Sequence, residues 1–315
     1  MAGVWVISEQ RSTLLELVGE GRKLADRLGV SLTALVPGDR EVALDAIAHG
    51  ADGAILLVLP GGQPVETAAS TITRLVEELD PDVMLWAASL RLKDLAARVA
   101  ARLGVALVTD GTGLRLQEDG RLETDRMVFG GGGVSTQVAL SRPQMVTVPA
   151  RTFPAPDPDP RIGEVRVVEV PADTRVRVVE RRAKAAQGAD IAAANVVVAV
   201  GRGLARAEDL ALIERLARAL GGAVGCTRPV AEELGWLPED CYIGISGRKV
   251  APQVYVAVGL SGQVQHIAGM REAKVVVAIN KDENAPIFAQ ADYGLVGDLY
   301  EVVPALTEAL SGLLR

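Results

Sequence analysis

The sequence predicts an α/β protein with two domains, each built around a parallel β-sheet. Three observations predict this fold class. The chain has 315 residues, about twice the length of an ordinary domain. Its apolar runs are short and lack alternating polar residues, as is typical of parallel strands buried on both faces. Segments with apolar residues at helical spacing separate those runs, and this order predicts right-handed βαβ units.

Strands alternate with helices through the first hundred residues. Buried-type strands are predicted over residues 4–7, 32–36, 55–59 and 83–87. Amphipathic helices are predicted over residues 12–28, 67–79 and 90–103. In the first of these helices, Leu14, Leu17, Val18 and Leu24 fall on one face. The alternation predicts a Rossmann-like N-terminal domain.

The N-terminal domain is also predicted to contain added antiparallel strands. The turn Glu118-Asp119-Gly120 lies between apolar runs and predicts a hairpin. Further strands are predicted over residues 134–140, 145–148, 164–170 and 175–179. The proline-rich residues 149–160 predict an extended excursion within the first domain, because strand-like runs continue after them. A polar, small-residue stretch at 184–194 is the better boundary, which gives domains 1–185 and 186–315.

The α/β order restarts in the second half of the chain. Strands are predicted over residues 196–200, 223–226, 254–258, 275–279 and 293–296. Helices are predicted over residues 208–220 and 302–314. The pattern predicts a second flavodoxin-like or Rossmann-like α/β domain after the first.

Composition and charge narrow the classes of function. Apolar residues make up 49% and charged residues 23%, as is typical of a globular chain. The net charge of -7 makes nucleic acid a poor candidate partner. Cys226 and Cys241 match no zinc or redox spacing, so we expect one buried thiol and one loop thiol. No basic leader and no apolar run of about 18 residues occurs, so we expect a cytoplasmic protein without membrane insertion.

The segment richest in chemistry follows the strand predicted at 254–258. The chain runs into Gly259, Ser261 and Gly262 and then into a short helix. Glycines let the backbone approach a phosphate, and the start of a helix offers unpaired N–H groups. We therefore expect an anion or nucleotide site here, with an ordinary tight turn as the alternative. Neither a Walker A sequence nor the dinucleotide fingerprint G-x-G-x-x-G occurs in the chain.

Polar side chains follow several other predicted strands. His266 lies one turn beyond the glycine turn, where a structural role and a ligand-binding role are both open. Ser246 lies between glycines with no histidine beside it, which favours a hydrogen-bonding loop over a nucleophile. Asn280 ends a strand, and the pair Thr227-Arg228 follows another. Asp298 precedes a helix, where it could cap that helix or bind ribose hydroxyls.

Four segments of the second half together carry a resemblance to a known family. They are Tyr255-Val-Ala-Val-Gly-Leu-Ser-Gly-Gln-Val-Gln-His-Ile-Ala-Gly-Met270, Val277-Ala-Ile-Asn-Lys-Asp282, Ala285-Pro-Ile-Phe288 and Ala291-Asp-Tyr-Gly-Leu-Val-Gly-Asp-Leu299. They resemble the alpha subunit of electron transfer flavoprotein. The match is strongest over residues 195–310 and looser in the first half. It implies a two-domain subunit that pairs with a beta subunit, with AMP or a second FAD held mainly by that partner.

The resemblance implies that the second domain is an FAD-binding domain. Ser261, Gly262 and Gln265 would lie along the pyrophosphate and ribityl chain, and His266 would reach the pyrimidine edge of the flavin ring. The full set of implied cofactor contacts is Arg202, Thr227, Arg228, Ile243, Gly244, Ile245, Ser246, Gly247, Ser261, Gly262, Gln263, Val264, Gln265, His266, Asn280, Asp298 and Leu299.

Other positions of that set would surround the ring and the adenosine. By the resemblance, Ser246 would offer its hydroxyl near flavin N5. Arg228 would lie against the ring, with Thr227 near the phosphates. Asn280 and Asp298 would hold the adenosine end. A cation or a hydrogen-bond donor beside the pyrimidine ring would stabilise the negative charge that one-electron reduction creates.

The chain departs from the family pattern in the loop around Ser246. Many members have Gln-Thr-Gly where this chain has Ile245-Ser246-Gly247. Serine keeps the hydroxyl, whereas Ile245 would contact FAD through its backbone only. Glu232 and Glu233 both follow the Arg228 loop, and the resemblance assigns neither of them a role.

The resemblance implies an electron carrier with no substrate of its own. It would accept electrons from flavoprotein dehydrogenases, such as acyl-CoA dehydrogenases, and pass them to a quinone oxidoreductase or respiratory chain. One alternative is an electron-bifurcating relative that oxidises NADH and holds two FAD. Another is a nucleotide-binding module without redox chemistry.

Overall fold

A computed structural model describes residues 3–129, 132–159, 161–176, 178–180 and 190–313. These residues form two compact units, the first comprising the described parts of 3–128 and 132–180 and the second comprising Phe129 and 190–313. The predicted domain boundary at residue 185 lies outside the described residues and stays a prediction. Within the described residues, no helix is both long enough and apolar enough to cross a membrane.

The first unit contains ten strands and four helices. The strands are β1 (Gly3–Ile7), β2 (Ser31–Pro37), β3 (Gly53–Val58), β4 (Val83–Ala87), β5 (Leu107–Val108), β6 (Gly111–Leu116), β7 (Leu122–Val128), β8 (Gly133–Val138), β9 (Gln144–Val148) and β10 (Glu164–Glu169). The helices are α1 (Arg11–Leu28), α2 (Arg40–Ala48), α3 (Ala69–Leu79) and α4 (Leu90–Leu103).

Seven of these strands form one parallel sheet in the order β10-β3-β2-β1-β4-β9-β5. The central strands β1 and β4 are buried along their whole length, as their continuous apolar sequences predict. Capping residues set where the helices between these strands begin and end. Ser89 caps α4 by accepting from the Leu92 N–H, and α1 ends at Gly29 in the left-handed conformation, with φ of 67°. The predicted parallel sheet is confirmed.

The remaining three strands form a separate antiparallel sheet in the order β6-β7-β8. The predicted hairpin is confirmed, since Leu116 pairs with Leu122 across the turn at residues 117–121. At the tip, the Arg121 backbone N–H donates to the Asp119 carboxylate, and Gly120 adopts φ of 79°. These are the antiparallel strands predicted for the N-terminal domain.

The proline-rich connection crosses the first unit and does not leave it. The backbone N–H of Arg151 donates to the Glu16 carboxylate of α1 over 2.5 Å, and Asp159 N–H donates to the Ala48 carbonyl at the end of α2. Burial raises the pKa of Glu16, and the hydrogen bond from Arg151 partly opposes this shift. The segment then delivers β10 to the sheet edge, where Glu164 pairs with Gly53.

The strand predicted over residues 175–179 is wrong for its described residues, none of which lies in a strand. The Gln63 side-chain amide donates to the carbonyls of Asp173 and Val176, and the Asp173 carboxylate accepts from the Arg175 backbone N–H. Side chains thus satisfy the backbone groups that a strand would pair with a neighbour.

The second unit contains five strands and three helices. They are β11 (Val196–Val200), β12 (Ala223–Cys226), β13 (Val254–Val258), β14 (Val275–Asn280), β15 (Tyr293–Val296), α5 (Leu210–Ala219), α6 (Val264–Met270) and α7 (Leu299–Leu313). All five strands are parallel, in the order β12-β11-β13-β14-β15. The second predicted α/β domain is confirmed. Both Cys226 and Cys241 are buried free thiols, and Cys241 lies in the connection between β12 and β13, as predicted for one of the two.

Candidate functional site

The candidate site lies where the carboxyl ends of β11, β12, β13 and β14 meet. The chain leaves β11 to form β12 on one side and β13 on the other, so the strand order reverses beside β11. Open α/β sheets bind ligands at such a switch point. A cavity of about 880 Å³ opens here, and its wall is built from the loops that follow these four strands. That volume falls in the range of small-molecule and cofactor pockets.

Two glycine loops pack backbone to backbone at the base of the cavity. The Gly203 N–H donates to the Gly259 carbonyl over 2.8 Å. A Cβ added at Gly203 would lie 2.7 Å from the Gly259 Cα, and Gly259 itself has a φ of +58°. Only glycine permits this approach, which lets the loops after β11 and β13 border one cavity.

The turn after β13 leaves a row of backbone N–H groups without acceptors. Gly262 adopts φ of +79°, and a Cβ there would lie 2.4 Å from the backbone nitrogen of Ile287. The Ile287 N–H donates to the Ser261 carbonyl and holds this turn in place. Within the described residues, no acceptor receives the N–H groups of Ser261, Gly262 or Gln263. Successive free N–H groups of this kind favour an anionic ligand such as a pyrophosphate.

His266 is a buried, neutral imidazole in the cavity wall. Its Nε2 lies 2.7 Å from the hydroxyl of Tyr255, which points into the core from β13. Its Nδ1 is buried and has no hydrogen-bond partner within the described residues. Burial lowers the pKa of His266 to about 4, and the Ile243 carbonyl opposes this shift without reaching hydrogen-bond geometry at Nδ1. An orphaned polar atom beside a cavity is the feature expected of a site that receives a ligand.

Tyr242 packs against the loop around Ser246 and hydrogen-bonds to it. The Tyr242 hydroxyl lies 2.9 Å from the Ser246 Oγ, and both residues line the cavity. A Cβ at Gly247 would lie 2.4 Å from the Tyr242 carbonyl oxygen, so glycine is required beside the ring. The Ile245 side chain is 51% exposed, while its N–H donates to the Gln265 carbonyl. The loop thus presents one hydroxyl and one apolar side chain.

The guanidinium of Arg228 also belongs to the cavity wall. Arg228 begins a short π-helical turn, Pro229–Glu233, and its side chain is 62% exposed. The Arg228 Nε donates to the Glu232 carboxylate over 2.6 Å, and this hydrogen bond raises the pKa of Arg228. Irregular turns of this kind are frequent at functional sites. The wall therefore carries a cation whose charge is partly balanced by its own neighbour.

Asn280 and Asp282 also line the cavity. The Asn280 Nδ2 donates to the Leu260 carbonyl, and its Oδ1 accepts from the Asp282 N–H. Asp298 caps α7 by accepting from the Tyr300 N–H, and Leu299 is buried in the core. This cap explains why α7 begins at residue 299 and not at the predicted residue 302.

The structure brings most of the predicted contact residues to this one cavity. Those lining it are Arg202, Thr227, Arg228, Ile243, Ile245, Ser246, Ser261, Gly262, Gln263, Gln265, His266 and Asn280. The predicted residues that do not line it are Gly244, Gly247, Val264, Asp298 and Leu299. The roles assigned to all of these residues stay predictions.

Several residues of the cavity wall were not predicted as contact residues: Pro229, Tyr242, Leu260 and Asp282. Glu232 and Glu233 also line the cavity, and the sequence assigned neither of them a role. Tyr242 precedes the predicted glycine–serine loop directly, but the contact of its hydroxyl depends on how tightly that loop turns. Pro229 follows the predicted Thr227-Arg228 pair and starts the π-helical turn. Its position after a strand was the available signal.

The donor set suits an anionic, partly aromatic cofactor. Free backbone N–H groups, a neutral imidazole, a hydroxyl and a guanidinium line the same cavity. Within the described residues, no cluster of three or more His, Cys, Asp or Glu side chains could hold a metal ion. The residues present therefore fit FAD, the group that the sequence resemblance implies.

Comparisons with known proteins agree with this geometry. Residues 4–173 match the family model described as the electron transfer flavoprotein domain, and residues 190–271 match the electron transfer flavoprotein FAD-binding domain. Protein FixB of Clostridium saccharobutylicum is 40% identical, over 96% of this chain and 95% of that protein. The electron transfer flavoprotein subunits alpha of Thermoanaerobacterium thermosaccharolyticum and Clostridium acetobutylicum are each 37% identical. They cover 98% and 96% of this chain, and 98% and 95% of their own lengths.

Proposed function

The chain belongs to the electron transfer flavoprotein alpha subunit family, and from this premise we propose that it binds FAD in the cavity of its second unit. The observation that carries the proposal is the orphaned Nδ1 of His266 beside a row of unpaired backbone N–H groups. One feature suits a flavin ring edge and the other suits a pyrophosphate. Their occurrence in a single cavity of about 880 Å³ supports one extended ligand with both groups.

The bound flavin supplies the redox chemistry, and the residues of this chain bind, orient and tune it. The free N–H groups from Ser261 to Gln263 would hold the pyrophosphate. Ser246 offers its hydroxyl from the loop supported by Tyr242. Arg228 places positive charge at the wall, and this charge favours added negative charge on the ring.

The proposed partner is an electron transfer flavoprotein beta subunit, which forms a heterodimer with this chain and holds AMP or a second FAD. In the ordinary form of this assembly, the heterodimer would carry electrons from flavoprotein dehydrogenases, such as acyl-CoA dehydrogenases, to a quinone oxidoreductase. This chain would act there as a carrier in the cytoplasm, with no substrate of its own.

A second candidate is a bifurcating complex that oxidises NADH with two FAD. The observation that favours it is Ile245, because this exposed apolar side chain stands beside Ser246 where many members carry Gln beside Thr. The cavity wall at that point offers the ring one polar side chain fewer than in those members.

The test is the nucleotide content of the co-expressed heterodimer. The purified complex is denatured, and the released FAD and AMP are quantified. We expect equal amounts of FAD and AMP, together with reduction of the flavin by an acyl-CoA dehydrogenase and its substrate. Two FAD without AMP, with reduction by NADH, would support the bifurcating complex. A heterodimer that contains nucleotide but no flavin would contradict both.

A further inference from the structure

Two buried polar side chains meet behind the wall of the cavity. Tyr255 lies on β13 and is fully buried, and His266 lies on α6, with its ring 6.2 Å from the tyrosine ring. The Tyr255 hydroxyl and the His266 Nε2 are 2.7 Å apart. The cavity residues assigned so far do not include Tyr255, because it does not reach the cavity.

The direction of this hydrogen bond determines which nitrogen of His266 carries its proton. Within the described residues, the Tyr255 hydroxyl has no other partner. If Nε2 donated, the hydroxyl proton of Tyr255 would be buried without an acceptor, which is costly. If the hydroxyl donates, the Tyr255 hydroxyl and the His266 Nε2 are both satisfied, and the neutral imidazole carries its proton on Nδ1.

The surroundings of the ring keep His266 neutral. The Ile243 backbone raises its pKa, but burial has the larger and opposite effect. Burial lowers the pKa of His266 to about 4, so the ring is neutral near pH 7 and carries one proton. The Nδ1 atom has no partner at hydrogen-bond distance within the described residues.

We propose that Tyr255 is a positioning residue for the cofactor, which donates to Nε2 and so holds the proton of His266 on Nδ1. The ring nitrogen left for the flavin is then a neutral hydrogen-bond donor. This inference rests on the proposed function, since it assigns a role toward the flavin that the cavity is proposed to bind.

The tautomer can be read directly in the full-length chain labelled with ¹⁵N-histidine. The chain has two histidines, so His49 serves as the internal reference. We expect His266 to show a protonated Nδ1 and an unprotonated Nε2 in the flavin-free chain. We also expect FAD, added in the presence of the partner subunit, to shift the Nδ1 signal and leave the Nε2 signal in place. A protonated Nε2 in the wild-type chain would overturn the proposal. This measurement requires no variant.

The variant Tyr255→Phe removes the hydroxyl and keeps the ring. We expect the proton of His266 to spread over both nitrogens and the affinity of the heterodimer for FAD to fall about tenfold, as for the loss of one hydrogen bond. The matched control is Tyr293→Phe, which removes an exposed hydroxyl on β15 outside the cavity. An unchanged tautomer in Tyr255→Phe would overturn the proposal, as would an unchanged affinity for FAD.

Failure of the proposed function would look different. A wild-type heterodimer that takes up no FAD, while His266 still carries its proton on Nδ1, would support the tautomer assignment and contradict flavin binding. A heterodimer that binds FAD without any shift of the Nδ1 signal would contradict the role of Tyr255 and leave flavin binding intact.

Discussion

At the residue scale, the cavity combines side chains whose charge states are set by opposite environments. His266 is buried, so its imidazole stays neutral. Arg228 is largely exposed and paired with Glu232, so its guanidinium stays charged. A neutral donor and a solvated cation affect a redox cofactor differently. The first fixes its position, and the second shifts its potential.

The burial of His266 makes the stability of the chain depend on pH. Burial lowers its pKa from the ordinary value of 6.5 to about 4 in the folded chain. The unfolded chain therefore binds a proton at a higher pH than the folded chain does. The stability linked to the neutral state of His266 is fully present above pH 6.5 and is lost as the pH falls toward 4. We expect a loss of about 2 kcal/mol between about pH 7 and about pH 5, measured by urea unfolding.

The control for that measurement is His266→Gln, which keeps a polar side chain but does not titrate. Its free energy of unfolding should fall by less than that of the wild-type chain over the same pH range. Equal pH dependence in the two proteins would show that His266 is not the group responsible.

The charge of Arg228 predicts a change in redox potential. In Arg228→Ala, the first reduction potential of the flavin should fall by on the order of tens of millivolts, because a cation near the ring is lost. Potentiometric titration of the heterodimer measures it. The matched control is Lys249→Ala, which removes an exposed positive charge that does not line the cavity.

The ion pair with Glu232 adds a second comparison. Glu232→Gln leaves Arg228 without its carboxylate, so the potential should move in the opposite direction and rise. Potentials that remain unchanged in both Arg228→Ala and Glu232→Gln would contradict a tuning role for this wall of the cavity.

At the element scale, the site is made by loops that follow four parallel strands. The strands themselves were predictable, because apolar runs buried on both faces leave a clear signal. Residues directly after those runs, such as Arg228, Ser261 and Asn280, could be predicted as site residues for the same reason. Tyr242 could not, since its place depends on the packing of Gly247 against it.

Each element that was predicted wrongly has an identifiable structural cause. The turn at residues 173–176 has a strand-like sequence, but Gln63 binds its carbonyls from more than a hundred residues away in sequence. The early start of α7 depends on a cap, and sequence alone left Asp298 open between a cap and a ribose contact. Sequence alone therefore does not predict elements that depend on long-range side-chain hydrogen bonds. It also does not predict helix starts where the capping residue has a second possible role.

The cap of α7 predicts a loss of stability on substitution. Asp298→Ala removes the acceptor for the Tyr300 N–H and should lower the free energy of unfolding by about 1 kcal/mol. Asp298→Asn should restore most of it, because Asn is an equally good cap. Chemical denaturation of both variants measures this effect. A restored stability with weaker FAD binding in Asp298→Asn would support the predicted adenosine contact.

At the scale of the whole molecule, the two units differ in the number and type of their β-sheets. The first unit joins a seven-stranded parallel sheet to a three-stranded antiparallel sheet. The second has a smaller sheet whose switch point opens into the large cavity. Both units match models of one family, and relatives align with nearly the whole chain. The candidate cofactor site lies within the second unit.

The central claim is that FAD occupies the cavity bordered by the turn after β13. The most direct measurement is the flavin content of the heterodimer carrying Gly262→Ala, compared with Gly235→Ala. Both glycines have positive φ, but a Cβ at Gly235 meets nothing within 4 Å, whereas one at Gly262 would lie 2.4 Å from the Ile287 backbone. Thermal melting of both variants confirms that each is folded at the temperature of the assay.

We predict that Gly235→Ala retains the wild-type amount of FAD and that Gly262→Ala loses most of it, because the turn that presents the free N–H groups must shift. A folded Gly262→Ala heterodimer with the full amount of FAD at unchanged affinity would contradict the placement of the cofactor in this cavity.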